Sequence, residues 1–304
     1  NDNYAVLQKF FQLYPKFASN DFYISGESYA GHYIPQLAQK IAQQKKIDPT
    51  QAPQSNMKGF LVGNPAVDET YDFGDPLTKY YQTHAMLRLD DNNQNHITQN
   101  LYPYDILIDV CGGTKTVKHI KFPHPMFKNL DRETYLADRK RYVPDVDPCI
   151  DDAVQSYLNI AAVQSAIHAN PTSWEDCGGP PYTFNTTSII PTYKYLMDNT
   201  NYQMLVYSGD ADTVINFIST EAWILDLKRP AKTSFLPWYY SRIGGTRQVG
   251  GMGIHFDRIS FKTFLVLATW FLDTNPLLLT KCSWTSWLVN KVISVWSSLV
   301  FMPC

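Results

Sequence analysis

Apolar positions along this chain fall into helical stripes and short continuous runs. Val6, Leu7, Phe10, Phe11 and Tyr14 recur at helical spacing, which predicts an amphipathic helix at the start. Phe22-Tyr23-Ile24 is an apolar run that stops at Gly26, after which Ile34, Leu37, Ala38 and Ile41 resume helical spacing. Asn20 to Pro35 therefore reads as strand, tight turn, helix. A Gln/Lys/Pro-rich loop over residues 43–55 leads to Gly59-Phe60-Leu61-Val62-Gly63, a second buried strand. Two strands separated by a helix predict a βαβ unit and a parallel sheet.

From Asp75 to about Cys177 the regular pattern gives way to polar loops such as Asp90 to Asn95, Pro-rich turns and short helical pieces such as Ala153 to Ala169. This stretch predicts an insertion or cap rather than more sheet. Regularity returns with a helix near Ile190 to Asp198, the strand Met204-Leu205-Val206-Tyr207, and a last strand, Ile259 to Phe264. The expected layout is core over residues 1–74, cap over 75–177, core again over 178–264, and a separate tail over 265–304.

The turn at the centre of the first unit carries candidate chemistry. Gly26-Glu27-Ser28-Tyr29, with small residues Ala30 and Gly31 following, has the form of the G-x-S-x-G elbow that lifts a nucleophilic serine off a sheet. The pattern alone is common by chance, and the strand before it and helix after it give it weight. The strand at Met204–Tyr207 ends in Ser208-Gly209-Asp210-Ala211-Asp212. Carboxylates past a strand end sit where α/β folds place their chemistry, and Asp210 or Asp212 fits the order serine, acid, histidine.

Composition narrows the field. The chain of 304 residues is 44% hydrophobic, enough for a large core, and its net charge of −2 comes without a Lys/Arg run. Nucleic acid and anionic membrane are poor expectations as partners. The five cysteines, Cys111, Cys149, Cys177, Cys282 and Cys304, form no C-x-x-C pair and no zinc spacing, so neither metal nor cofactor is expected. Asn185-Thr186-Thr187 is a glycosylation sequon, and with the cysteines it leans toward an oxidising compartment. The chain opens at Asn1-Asp2-Asn3-Tyr4 with neither Met nor a signal peptide, which reads as a start cut short.

Together these residues resemble the serine carboxypeptidase family of α/β-hydrolases, the relatives of lysosomal protective protein. NDFYISGESYAGHYIP (residues 20–35) is similar to that family's serine motif, and KGFLVGNP (58–65) to its next strand and turn. Pro148-Cys149, Tyr157-Leu158-Asn159, Val163-Gln164 and Trp174-Glu175-Asp176-Cys177 follow its order. Leu205 to Asp212 resembles its acid motif. The resemblance runs to about residue 264. It implies an α/β-hydrolase fold with a helical or irregular cap and an incomplete sheet. It also implies Ser28 as nucleophile, Asp212 as the acid that orients a histidine, and Tyr29 as an oxyanion-hole N–H donor. Glu27 would hold the substrate's C-terminal carboxylate through a shared proton, which implies activity favouring acidic pH. Cys111 with Cys149 resembles a family disulfide, and Asn185 becomes a glycan site. The implied substrates are peptides and proteins with a free C-terminal carboxylate, in a secreted or lysosomal setting, with no nucleic acid, membrane, metal or cofactor.

Five parts of the family pattern are not found. The glycine-rich oxyanion segment, the first strands and a partner acid for the carboxylate belong upstream of Asn1, as does the cysteine expected to pair with Cys177. The pattern also predicts Gly-Ala-Gly-His-Met-Val-Pro after Phe264, where Leu265-Val266-Leu267-Ala268-Thr269-Trp270-Phe271-Leu272 stands. Of the seven histidines only His255 follows Asp212, and it precedes the strand instead of following it. The last base of each codon joined to the first two of the next permits Gly, Ala, Gly, His, Met, Val and Pro, in order. Residues 265–304 thus read as wrong-frame coding sequence. A membrane anchor is the rival reading, but Asp273, Asn275 and Pro276 break one apolar run and Asn290 and Lys291 the other. The functional expectation is a serine carboxypeptidase acting through an acyl-enzyme and nearly inactive as this chain stands. The alternatives are a catalytically dead secreted binding or protective partner, or a general esterase.

Overall fold

The computed structural model describes residues 2–91, 93, 97, 101–107, 149–175, 187–241 and 247–265. The predicted βαβ unit is present. Strand β1 (Asp21–Glu27) leads through α2 (Ala30–Ile47) into β2 (Asn56–Gly63), and the two strands pair in parallel with Glu27 opposite Gly63. β1 outlasts its apolar run because Ser25, Gly26 and Glu27 continue to pair with Leu61, Val62 and Gly63. Pairing, not hydrophobicity, ends the strand. Helix α1 (Asp2–Leu13) forms where expected and buries Leu7 and Phe11 of the predicted stripe, but with its inward face rotated to take in Tyr4 while Val6 is 54% exposed.

Among the described residues the strands make one six-stranded sheet in the order β1-β2-β3-β6-β5-β4, completed by β3 (Gln203–Gly209), β4 (Leu236–Ser241), β5 (Arg247–His255) and β6 (Ile259–Phe264). β1, β2, β3 and β6 run parallel, whereas β5 is antiparallel to both β6 and β4. The expected parallel sheet is therefore mixed. A hairpin can return antiparallel through a short connection, while a parallel return needs a crossover.

Both faces of the central strands are apolar, as strands covered on two sides must be. Ile24, Phe60, Val62, Met204, Val206, Ile259 and Phe261 pack with Ala38 and Ile41 of α2, with Tyr193 and Leu196, and with Trp223 and Ile224. The last four come from helices α7 (Ile190–Asn199) and α8 (Phe217–Asp226). The alternate residues Leu61, Leu205, Tyr207 and Phe264 pack with Trp238 on the other face. Helices α3 (Glu69–Asp72) and α4 (Asp75–Thr83) follow β2, and Tyr80 and Tyr81 of α4 join Leu87 and Ile97 in a separate cluster.

Helices α5 (Ile150–Leu158) and α6 (Ala161–Ala166) explain several of the motifs that carried the resemblance. Asn159 Nδ2 donates to the Trp174 carbonyl and its Oδ1 accepts from the Trp174 N–H, both at 2.8 Å. Gln164 Nε2 donates to the carbonyls of Leu158 and Thr172, each at 2.9 Å. These amides fold the chain of residues 158–174 back on itself without sheet or disulfide.

Asp72 is 2% exposed, and its Oδ2 accepts from the N–H groups of Val67 and Asp68. Burial outweighs those two bonds and pushes its pKa up to about 7 from 3.8. The folded state therefore holds a proton that the unfolded chain has released. Its stability falls as pH rises from 3.8 toward 7, and the ionisation cost is fully present above that range. Asp72→Asn is expected to flatten this loss, which amounts to roughly 4 kcal/mol. Denaturant titrations across the same pH range check it, with unchanged pH dependence the contrary result.

Candidate active site

Ser28 sits between β1 and α2 with φ 56°, the left-handed region that costs a non-glycine residue on the order of 1–3 kcal/mol and recurs at functional turns. Three backbone bonds hold it there. Its N–H donates to the Gly63 carbonyl at 3.0 Å, and its carbonyl accepts from Gly31 and Ala66, each at 2.9 Å. The small neighbours are sterically required. A Cβ on Gly26 would lie 2.5 Å from that of Ala30, and one on Gly31 would lie 2.3 Å from the Ala66 carbonyl. Ser28 is thus held at the mouth of an 18-residue helix, where first-turn N–H groups and the helix dipole favour developing negative charge.

Tyr29 is the helix N-cap, the position from which an N–H can reach an oxyanion beside Ser28. Its ring stacks on His32 with centroids 4.7 Å apart and meets Tyr33 edge-on at 5.1 Å. His32 is 6% exposed; burial holds its pKa below the usual value, against the opposite pull of Asp68 and Glu69. Glu27 ends β1 on the same face as Tyr23 and Ser25.

The acid turn lies at the same edge of the sheet. Register runs from Glu27 to Gly63, from Gly63 to Tyr207, and from Gly209 to Phe264. One strand, β2, separates β1 from β3, which sets the two turns about 9.5 Å apart across the sheet. Asp212 is 2% exposed, and its Oδ1 accepts from the N–H groups of Val214 at 2.6 Å and Ile215 at 3.1 Å. Asp212 is the more buried of the two candidate acids, and these two bonds hold its carboxylate in one orientation.

The backbone around it is tethered on every side. Asp210 N–H donates to the Phe264 carbonyl, and the Tyr80 hydroxyl donates to the Asp210 carbonyl at 2.7 Å. Thr213 donates to the Pro103 carbonyl through both its N–H and its hydroxyl, and Ile106 N–H donates to Ala211. Tyr80 and Pro103 come from the stretch that the sequence marked as cap. Nothing in their local pattern signals this role.

His255 does not share that edge. It pairs with Ser260 near the start of β6, with Nδ1 2.7 Å from the Ser260 hydroxyl. Phe264 lies four residues on, about 13 Å away along the strand. His255 instead lines a cavity of about 380 Å³ with Lys232, Asp257 and Arg258, and burial, then Lys262, lowers its pKa. Parallel pairing of β6 with β3 puts Leu265, the residue just after Phe264, beside the acid turn.

The family model for serine carboxypeptidases matches residues 1–266. The chain belongs to the serine carboxypeptidase family. It is 32% identical over 293 residues to serine carboxypeptidase 24 of Arabidopsis thaliana, covering 86% of this chain and 60% of that protein. It is 30% identical over 257 residues to serine carboxypeptidase II-1 of Hordeum vulgare, covering 79% of this chain and 78% of that protein. The chain thus spans less than two thirds of several curated relatives it matches. The solved structure of a prohormone-processing carboxypeptidase from Saccharomyces cerevisiae superposes with a TM-score of 0.54 at 12% identity, covering 93% of this chain and 65% of that one. The mixed sheet with its flanking helices is an α/β-hydrolase core.

For a serine carboxypeptidase the cysteine positions matter next. Cys149 is disulfide-bonded, and the other four cysteines, Cys111 among them, lie outside the described residues, as does Asn185. Among the described residues no cluster of three His, Cys, Asp or Glu could hold a metal, and no helix is long and apolar enough to cross a membrane.

Proposed function

We propose that this protein is a serine carboxypeptidase that removes C-terminal residues from peptides, with Ser28 as nucleophile and Asp212 as the acid of its triad. The observation that carries this reading is the strained Ser28 turn at a helix mouth, one strand away from a buried, doubly hydrogen-bonded aspartate. Ser28 Oγ attacks the carbonyl of the last peptide bond and its proton passes to a base. The leaving amine takes that proton as the bond breaks, and water then hydrolyses the acyl-enzyme. Tyr29 N–H stabilises the oxyanion, and Glu27 shares a proton with the substrate's terminal carboxylate, so activity favours acidic pH. Cys111 pairs with Cys149, Asn185 carries a glycan, and the protein works in a secretory or lysosomal compartment.

The base belongs to the segment after Phe264, so the chain as written is nearly inactive. The test is release of free amino acid from an N-blocked dipeptide at about pH 5. A version with Gly-Ala-Gly-His-Met-Val-Pro following Phe264 should release it, should spare the C-terminal amide, and should stop with Ser28→Ala. Hydrolysis by the chain as written that survives Ser28→Ala would sink the assignment. The position of His255 at the far end of the sheet favours one second reading, a folded relative that binds peptide termini without cleaving them. A restored segment that yields binding without hydrolysis would establish it.

A further inference from the structure

The Gly63-Asn64-Pro65 turn, part of the sequence pattern but given no task by the proposed triad, holds a residue whose side chain binds the acid turn while its chain neighbours bind the Ser28 turn. Asn64 is 1% exposed and adopts φ 35°, a region that asparagine tolerates better than most side chains. Its backbone neighbours hold the nucleophile: the Gly63 carbonyl accepts from Ser28 N–H, and Ala66 N–H donates to the Ser28 carbonyl. Its side chain holds the other turn. Nδ2 donates to the Ile215 carbonyl at 2.9 Å and to the Ser208 hydroxyl at 3.1 Å, and Oδ1 accepts from Gly209 N–H at 3.1 Å. Its own N–H donates to the Tyr207 carbonyl at 2.9 Å.

Gly209 and Ile215 are the two ends of the turn that carries Asp212, so one buried amide closes that turn at both ends. Ile215 N–H in turn donates to Asp212 Oδ1. We propose that Asn64 is a positioning residue that sets the distance and orientation between the Ser28 turn and the Asp212 carboxylate. An amide is required because the three side-chain contacts need one acceptor and two donors. Aspartate offers only acceptors when ionised, and leucine offers neither.

Asn64→Asp and Asn64→Ala test the proposal, with hydrogen exchange over residues 208–216 as the first readout. Both variants should exchange at least about tenfold faster there, while residues 21–27 and 190–199 keep the parent rates. Exchange within twofold of the parent in a folded variant would overturn the proposal. So would loss of the fold in both, since a near-isosteric Asp would then mark Asn64 as general core support. The catalytic consequence rests on the proposed function: in the version with the histidine segment restored, kcat should fall roughly 30- to 100-fold with KM within twofold. Hydrolysis absent from that parent speaks against the functional reading, and the exchange result stands apart from it.

Discussion

Gly31→Ala is expected to destabilise the protein by more than about 3 kcal/mol and to collapse the Ser28 turn. The added Cβ would stand 2.3 Å from the Ala66 carbonyl, 2.7 Å from Pro65 Cβ and 3.0 Å from Ala66 N. Two of these three are backbone atoms, which cannot rotate away. Ala66 N–H is also the donor that holds the Ser28 carbonyl, so relief of the clash breaks that bond. α2 must then tilt from the 65–66 segment, taking with it Ala38 and Ile41, both 0% exposed. A melting temperature lower by about 10 °C, with faster exchange at residues 28–32, is the expected measurement. Wild-type melting in the variant would show that the packing is looser than these distances state.

The second large effect concerns Asp212. In the version carrying the histidine segment, Asp212→Asn is expected to lower kcat on the order of 10⁴-fold while the fold stays intact. The amide oxygen can still accept from Val214 and Ile215, but the NH₂ replaces an acceptor with a donor and favours the wrong imidazole tautomer. Asp212→Ala differs in kind. It strands the buried Ile215 N–H, at a cost of about 1–3 kcal/mol, and the part-buried Val214 N–H, so that variant should lose stability as well as rate. The proposed triad would fail if Asp212→Asn retained most of the rate in a pH-rate profile from about pH 4 to 8.

The elbow was legible because strand, small residues, serine and helix are contiguous and each obeys a local rule. Local patterning was weaker at element ends and on faces. It put Val6 on the inward stripe of α1 with Leu7 and Phe11, whereas docking leaves Val6 exposed and buries Tyr4 in its place. It stopped β1 at Gly26, whereas the ladder with β2 carries Glu27. The β4–β5 hairpin went unread because Leu236-Pro237-Trp238 and the glycines of β5 show no clean alternation, and pairing with β6 selects them.

The family, the α/β-hydrolase core and the candidates Ser28 and Asp212 can be read from the residue order, because motif chemistry depends on residues close together in the chain. Tertiary structure alone decided which groups surround the acid. Tyr80, Pro103 and Asn64 lie more than 100 residues from the turn they hold, and only the fold brings them to it. It also decided that His255 stands at the wrong end of β6. Sequence order places a histidine after an acid, but strand direction decides which edge of the sheet it reaches.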